Sequence, residues 1–540
     1  MSIPHPVATD TPSTLTPGHD SMPAESSGLV RGLGLFDSIM IVAGTMIGSA
    51  VFIVAADITR NVGSSGWLLV VWAVTGVLAL VGALCYGELA TMMPRAGGQY
   101  VYLSEAYSPL VGFLYGWTLF AVVQTGSLAA ISIAFARFLG VLVPWVAPDA
   151  WIVRPIALSH SYALSLTTQQ LVAIVMILLL TYLNTRGLRL GRLIQNTFTV
   201  AKTAALAGLI VLGLFVARSS TILSANFADP WTPRGAATIQ PDLPWLPTVS
   251  AGADGVGLFV AIGVSLVGAV AAADAWFSLT YVAGEVKNPR RNIPLALLVG
   301  TSGVVGLYLL ANLSYLFVLP LEAIQHAPDD RVATLALERM FGPAGAVAMA
   351  IAILISTFGC ANAYTLSGAR VYWAMARDGL FFRATATLND RHVPARALLF
   401  QGLWASVLVL PRTRVYGPDG LPLLDPATQQ QVLGNLYSNL LDYVVFAALL
   451  FYIVTMGAVF VLRRKRPDVP RPYRAVGYPI VPALYILAIA VLAVVLLLYR
   501  TNITWPGLLI VLAGVPIYRM RRAGSERAAR QLAIGTGLTP

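Results

Sequence analysis

Asp274 lies inside the run AIGVSLVGAVAAADAWFSLTYVAG, whose apolar length is otherwise that of a membrane-crossing helix. A carboxylate at mid-bilayer costs roughly 2.5 to 3.5 kcal/mol even on lenient insertion scales, so by default it marks a substrate or ion site. Two chemistries suit it: pairing with an ammonium group and taking up a proton. Its structural alternative is a hydrogen bond to hydroxyls on a neighbouring helix. Lys202, in FTVAKTAAL, is a second charge within an apolar run, deeper than a lysine that merely snorkels to the interface needs to be. A buried ammonium can exchange a proton or stand where a coupling cation would bind. Ser356 and Thr357, in a third apolar run, offer hydroxyl oxygens of the kind that would otherwise ligate Na⁺.

The elements that must position these groups follow from composition. Of the 540 residues, 57% are hydrophobic and 11% charged, and the mean hydropathy is +0.74. That is too little charge for a water-soluble chain of this length, and the class is a polytopic all-α membrane protein. Apolar stretches long enough to cross about 30 Å of hydrocarbon recur near 35–58, 66–91, 109–140, 168–185, 193–217, 256–283, 293–319, 343–374, 397–411, 436–462, 478–499 and 502–518, which makes twelve spans. With a cytoplasmic N-terminus, 24 of the 35 Lys and Arg fall in cytoplasmic segments, nine lie outside, and Arg137 and Lys202 lie within spans. This asymmetry obeys the positive-inside rule and places both termini in the cytoplasm. It also accounts for the net charge of +11 without a nucleic-acid partner, for which a clustered basic domain is missing. The 32 Arg against three Lys point to a GC-rich prokaryotic genome and hence to the cell (cytoplasmic) membrane.

Residues 1–30 are rich in Pro, Ser and Thr and read as a disordered cytoplasmic tail. They hold no basic segment leading into an apolar core, so the first span itself directs insertion. The remaining divisions are a core over 31–465, two further spans over 466–519 and a basic cytoplasmic tail over 520–540. Both cysteines, Cys85 and Cys360, fall within spans, and no spacing indicates a disulfide framework, a metal or a cofactor. A membrane-embedded enzyme would need clustered His, Asp or Glu near the interface. Beyond the tail only His160, His326 and His392 occur, on three separate loops.

The first and sixth spans contain segments with little bulk to enforce a continuous helix: Gly44-Thr-Met-Ile-Gly48-Ser49-Ala50 and Ala271-Ala-Ala-Asp274-Ala275. Paired breaks in corresponding places point to a five-plus-five inverted repeat with the site between its halves. A break exposes amides on one side, which attract a carboxylate, and carbonyls on the other, which attract an ammonium. The competing reading is that the small residues only let helices pack closely. Glu88, near one end of span two, and Asp442, near the outer end of span ten, lie where interfacial water reaches and read as structural. Gln124, midway along span three, suits a cavity wall or an interhelical hydrogen bond equally.

The strings Gly44-Thr-Met-Ile-Gly-Ser-Ala-Val-Phe52, Gly87-Glu-Leu-Ala with Pro94-Arg-Ala-Gly-Gly-Gln-Tyr-Val-Tyr102, Gly284-Glu-Val-Lys-Asn-Pro-Arg-Arg-Asn-Ile-Pro294, Gly368-Ala-Arg-Val-Tyr-Trp-Ala-Met-Ala-Arg-Asp-Gly379 and Arg466-Pro-Asp-Val-Pro-Arg-Pro-Tyr-Arg474 occur in this order on the twelve spans. In them the chain, over about residues 31 to 520, resembles the amino acid–polyamine–organocation permeases, near the L-type amino acid transporters and their bacterial relatives. The resemblance implies a leucine-transporter-like fold with broken helices 1 and 6 and alternating access around a central site. It places the substrate's carboxylate and amino group at Thr45, Met46, Gly48, Ser49 and Ala50, with the pocket completed by Ala271 to Ala275. It also matches Lys202 to the lysine that replaces a coupling cation, which implies a sodium-independent carrier. Ala50 and Ala271 depart from the family pattern, the latter standing where many relatives have an aromatic gate, which implies either a roomier pocket or gating by Trp276 instead. The loop between spans three and four lacks the cysteine by which animal members bind a heavy chain, and no such partner is expected.

The function expected is secondary active transport of L-amino acids, proton-coupled or by exchange, with Asp274 facing the amides of the broken first span. A permease or antiporter for cationic amino acids or polyamines is the alternative, and an amino acid sensor on the same fold a remoter one.

Overall fold

The computed structural model describes residues 28–160, 162–415, 421–424, 431 and 433–535; the tail expected before residue 28 lies outside them. The first apolar stretch is split into α1 (Leu35–Met46) and α2 (Val54–Val62), joined through the 3₁₀ turn Ala50–Phe52, and α3 (Ser65–Met92) crosses in one piece. A short α4 (Gln99–Ala106) leads to α5 (Pro109–Thr118), which passes through a π turn into α6 (Gln124–Leu142). Then come α7 (Thr168–Thr185), α8 (Leu188–Val211) and the short α9 (Ser220–Phe227). The sixth stretch is α10 (Gly255–Ala272), broken before α11 (Ser278–Tyr281). After α12 (Pro289–Val318), the short helices α13 (Leu321–Gln325) and α14 (Val332–Phe341) precede α15 (Pro343–Arg377). The chain ends with α16 (Ala395–Val409), α17 (Leu436–Lys465), α18 (Ile480–Tyr499) and α19 (Thr501–Gly535).

Among the described residues nine helices are long and apolar enough to cross a membrane, and α1 and α16 are shorter apolar helices. Side chains such as Phe215 and Val216, each 70% exposed, make sense against lipid and not against water. Local signals set the helix starts. Ser64 accepts from the Trp67 N–H at the head of α3, and Thr167 and Gln170 form a capping box on α7. Asp254 takes the Gly257 N–H at 2.6 Å at the head of α10.

The helical class holds, with an addition that hydropathy does not foretell. Strands β1 (Trp151–Ala157) and β2 (Tyr162–Thr167), in the α6–α7 connection, join β5 (Pro411–Arg414) and β6 (Leu433–Asn435) in an antiparallel sheet of order β1-β2-β5-β6, with Ala163 opposite Arg412. A second, two-stranded sheet pairs β3 (Thr238–Ile239) with β4 (Val249–Ser250). Such short strands acquire order only by pairing across the chain, so each looks like a loop when read by itself. At the other end of the chain, α19 runs as helix through Gly535, into the stretch expected as a basic tail.

Several charged residues find structural partners. Arg137 lies in α6 but is 47% exposed and pairs with Asp329 at 3.5 Å, so it is no buried intramembrane charge. Glu88 holds Arg463 at 2.6 and 2.8 Å and accepts the Ala475 N–H at 2.6 Å. Gln124 donates to the Tyr364 carbonyl at 2.7 Å, an interhelical bond. The Asp442 side chain lies outside the described residues.

The closure beneath the breaks rests on Glu285 and Arg370, each 1% exposed, which form a two-pronged pair at 3.0 Å for both contacts. Arg370 also donates to the Leu366 carbonyl at 2.6 Å. The Leu33 N–H donates to the Glu285 carbonyl at 3.0 Å, and the Lys287 N–H to the Leu33 carbonyl at 2.8 Å. The segment entering α1, the segment leaving α11 and α15 are thus tied at one point. Glu285→Ala would strand the Arg370 charge, and we expect a loss of about 3 to 5 kcal/mol in stability. The check is a thermal melt of the purified variant, with Glu285→Leu/Arg370→Met recovering most of the loss.

Candidate functional site

The end of α1 leaves backbone carbonyls that no following turn can satisfy, and in hydrocarbon each must find another donor. Lys202 of α8 donates from Nζ to the carbonyls of Gly44 and Ile47, both at 2.6 Å. Tyr308 of α12 donates to Met46 at 2.8 Å, and the Cys360 thiol of α15 reaches Thr45 at 3.4 Å. Ser356 of α15 lies 3.3 Å from the Ile47 carbonyl and 3.2 Å from that of Gly48. The carbonyl side of the break is therefore filled by the protein itself. The Lys202 ammonium, 1% exposed, sits where a cation held by the same carbonyls would sit.

The amide side differs. Among the described residues no hydrogen bond is recorded for the N–H groups of Gly48 and Ser49. Gly48, Ser49 and Ala50 are half-buried between buried neighbours. Thr45 and Met46 are each 3% exposed: Met46 packs in the core, and the Thr45 hydroxyl, with one proton to donate, lies 2.8, 3.0 and 3.0 Å from the Ile41, Val42 and Ala275 carbonyls. Thr45 stitches one break to the other. Thr357, expected beside Ser356, donates within its own helix to Ile353 at 2.7 Å and is not brought to α1.

The second break begins where Ala273 caps α10. Ala275 adopts φ 70°, a left-handed conformation that an alanine takes only when its surroundings impose it. Ala271 is exposed and Asp274 half-buried. The Asp274 carboxylate accepts a hydrogen bond from the Tyr452 hydroxyl of α17. It lines a narrow pocket, with room for about one water, walled by α3, α10, α17 and α18. No residue of α1 lines that pocket, so the expectation that Asp274 faces the amides of the broken first span is corrected: the carboxylate turns the other way. Trp276, 3% exposed, is wedged edge-on against Tyr86 at 4.8 Å between ring centroids and forms a wall of the same pocket.

Several residues essential to this geometry were not singled out from the sequence. Gln195, Thr199 and Lys202 recur at helical spacing on α8, a polar stripe in an apolar run that could have been read. Gln195 donates to the Met40 carbonyl at 3.1 Å and Thr199 to the same atom at 3.3 Å. Tyr308, Tyr452 and Cys360 gave no such signal, because a lone tyrosine or cysteine in a span is ordinary. Among the described residues no cluster of His, Cys, Asp and Glu could hold a metal ion.

Comparison with known proteins bears on the family of the chain. A family model described as amino acid permease matches residues 33–517. The chain is 30% identical over 504 residues to the b(0,+)-type amino acid transporter 1 of Mus musculus, covering 92% of this chain and 88% of that protein. Its identity to the Homo sapiens protein of the same name is 29% over 507 residues, covering 92% and 89%. To the large neutral amino acids transporter small subunit 2 of Mus musculus it is 30% identical over 518 residues, covering 93% and 84%.

Gly44 is a point of close approach between α1 and α8. A Cβ there would lie 1.8 Å from Gln195 Nε2 and 2.5 Å from Thr199 Oγ1. We expect Gly44→Ala to push α8 away, separate Lys202 from its carbonyls and abolish substrate uptake. Uptake partly restored in Gly44→Ala/Gln195→Ala would locate the defect in that contact, whereas wild-type uptake by the single variant would refute it.

Proposed function

Because the chain belongs to the amino acid permease family, we propose that it is a sodium-independent secondary transporter of L-amino acids that works by alternating access across the cell membrane. The observation that carries this reading is the asymmetry of the α1 break. Its carbonyls are occupied by Lys202, Tyr308, Cys360 and Ser356, while the N–H groups of half-buried Gly48 and Ser49 have no hydrogen-bond partner among the described residues. Unpaired amides at a helix break suit the α-carboxylate that every amino acid carries. Exposed Ala271 and the strained Ala275 give the substrate's other end a second broken helix to lie against.

Sodium independence follows from Lys202. A fixed ammonium on the Gly44 and Ile47 carbonyls leaves no vacancy there for Na⁺, and it can pass a proton instead, so proton symport and exchange both fit. In this reading residues 31–465 form the ten-span inverted-repeat core and 466–519 two added spans, with both termini cytoplasmic as the Lys and Arg distribution requires. The transporter functions without a disulfide-linked partner, since the α6–α7 connection holds no cysteine and Cys85 and Cys360 are buried.

Purified protein in proteoliposomes should accumulate labelled L-leucine equally in sodium and in choline buffer. Uptake that requires sodium would remove Lys202 from the cation's place. Lys202→Ala should lose uptake, because the Gly44 carbonyl is then left unpaired at a cost of about 1 to 3 kcal/mol and the Ile47 carbonyl keeps only the longer Ser356 contact.

A further inference from the structure

We propose that Asp274 binds the proton that drives transport, with Tyr452 and a single water held by Thr75 and Tyr485 as its partners. The inference rests on the transport reading above and deepens it, assigning the coupling proton to Asp274 and not to Lys202. The first argument is the contrast among the carboxylates. Glu88 and Glu285 both hold arginine, a permanent cation that only donates, which suits a carboxylate that keeps its charge. Asp274 is met by the Tyr452 hydroxyl and the Ala275 N–H, and no arginine or lysine among the described residues pairs with it. The titratable groups facing it are phenols: Tyr86 of α3, Tyr115 of α5, Tyr281 of α11, Tyr364 of α15, Tyr452 of α17 and Tyr485 of α18. Cys85 of α3 stands beside Tyr485, the Glu88–Arg463 pair joins α3 to α17, and α10 and α18 carry no charged residue. An anion without a counter-ion is costly in a medium of low dielectric constant, and a bound proton removes that cost.

The second argument is the size and chemistry of the space. The pocket that Asp274 lines has room for about one water, too little for a substrate side chain and enough for a proton carrier. Thr75, 1% exposed and part of the lining, has a hydroxyl with no hydrogen-bond partner among the described residues. Three residues earlier, on the same face of α3, the Trp72 indole N–H is likewise unpartnered among them. Hydroxyls and water both donate and accept, so these partners serve Asp274 in either protonation state. With the anion, the water donates to the carboxylate and accepts from Thr75 or Tyr485. On loading, a hydronium ion gives its proton to a carboxylate oxygen and is left as water. The new carboxyl O–H donates to the pocket water, which donates in turn to the Thr75 and Tyr485 oxygens. Unloading reverses these steps and returns the proton to water on the other side. Lys202 has no such surroundings: it is 1% exposed, its Nζ is held by two carbonyls, and it is not part of this lining.

Infrared difference spectroscopy of the purified full-length protein between about pH 8 and about pH 5 tests the site, and L-leucine uptake in proteoliposomes tests the coupling. On acidification the wild type should show a carboxylic acid C=O band that Asp274→Asn removes. With acid outside, leucine accumulation should rise by up to about tenfold for each pH unit imposed, the limit for one proton per substrate. Asp274→Asn should lose this dependence on the gradient. Tyr452→Phe removes one hydrogen bond to the carboxylate and should move the pH midpoints of the band and of gradient-driven uptake together, by about one unit. That variant carries the test should Asp274→Asn not fold or not transport. A merely structural Tyr452 would lower uptake without moving either midpoint. If leucine is taken up but no Asp274-dependent band appears, or the gradient has no effect on the wild type, or the two midpoints move apart, the inference is overturned while the transport reading stands. If no amino acid is taken up, the transport reading fails and the coupling role with it, and the band alone decides whether Asp274 binds a proton.

Discussion

A helix that stops in the middle of a bilayer must have every orphaned carbonyl met by a donor, because no water is there to do it. At the end of α1 that requirement recruits Lys202 from α8, Tyr308 from α12, and Ser356 and Cys360 from α15. Three helices are thereby set around α1 at defined distances, and the glycine at position 44 is what allows α8 to come so near. Donors are supplied on one side of the break only, and the unpaired amides on the other side are the groups to which the proposed function assigns the substrate. The site is in this sense the remainder of a hydrogen-bonding problem that the rest of the bundle solves.

The same constraint organises the buried charges. Glu285 and Arg370 neutralise one another where the segment entering α1 meets the segment leaving α11, and Glu88 gathers Arg463 and the backbone after α17. Between them, beside the second break, a polar network joins Gln99 to Tyr86, Thr455 and Tyr115, and Tyr115 to Tyr281. These groups tie α3, α4, α5, α11 and α17 together below the pocket that holds Asp274. Buried polar groups satisfied by one another on this scale define one arrangement of helices more sharply than apolar packing would. The alternating access proposed for this chain would exchange such bonds as sets, which favours discrete states over a continuous range.

Much of this was legible in the residues. Asp274 and Lys202 were conspicuous because ionisable groups are costly in apolar runs, and both proved to stand at breaks, the first within one and the second against the other. The breaks themselves were visible as stretches without bulk. What misled was direction: Asp274 was expected to look toward α1, and it looks toward Tyr452. Thr357 was expected to share the role of Ser356, yet adjacent residues on a helix point about 100° apart and only one of them can face α1. Thr45 and Met46 were expected to touch substrate, but at a helix end the side chains can be committed to the core while the backbone is what remains open.

By itself the sequence determined the membrane class, the helices, the places where two of them break and the charges that must be dealt with, since each is a property of a local stretch measured against hydrocarbon. Only the tertiary structure decided which donor meets which carbonyl, which amides stay unpaired, which way Asp274 turns and that loop strands distant in the chain form a sheet. The physical reason is that periodicity fixes side-chain direction along a continuous helix and says nothing across a break, where the direction is chosen by the partners that arrive from elsewhere in the chain.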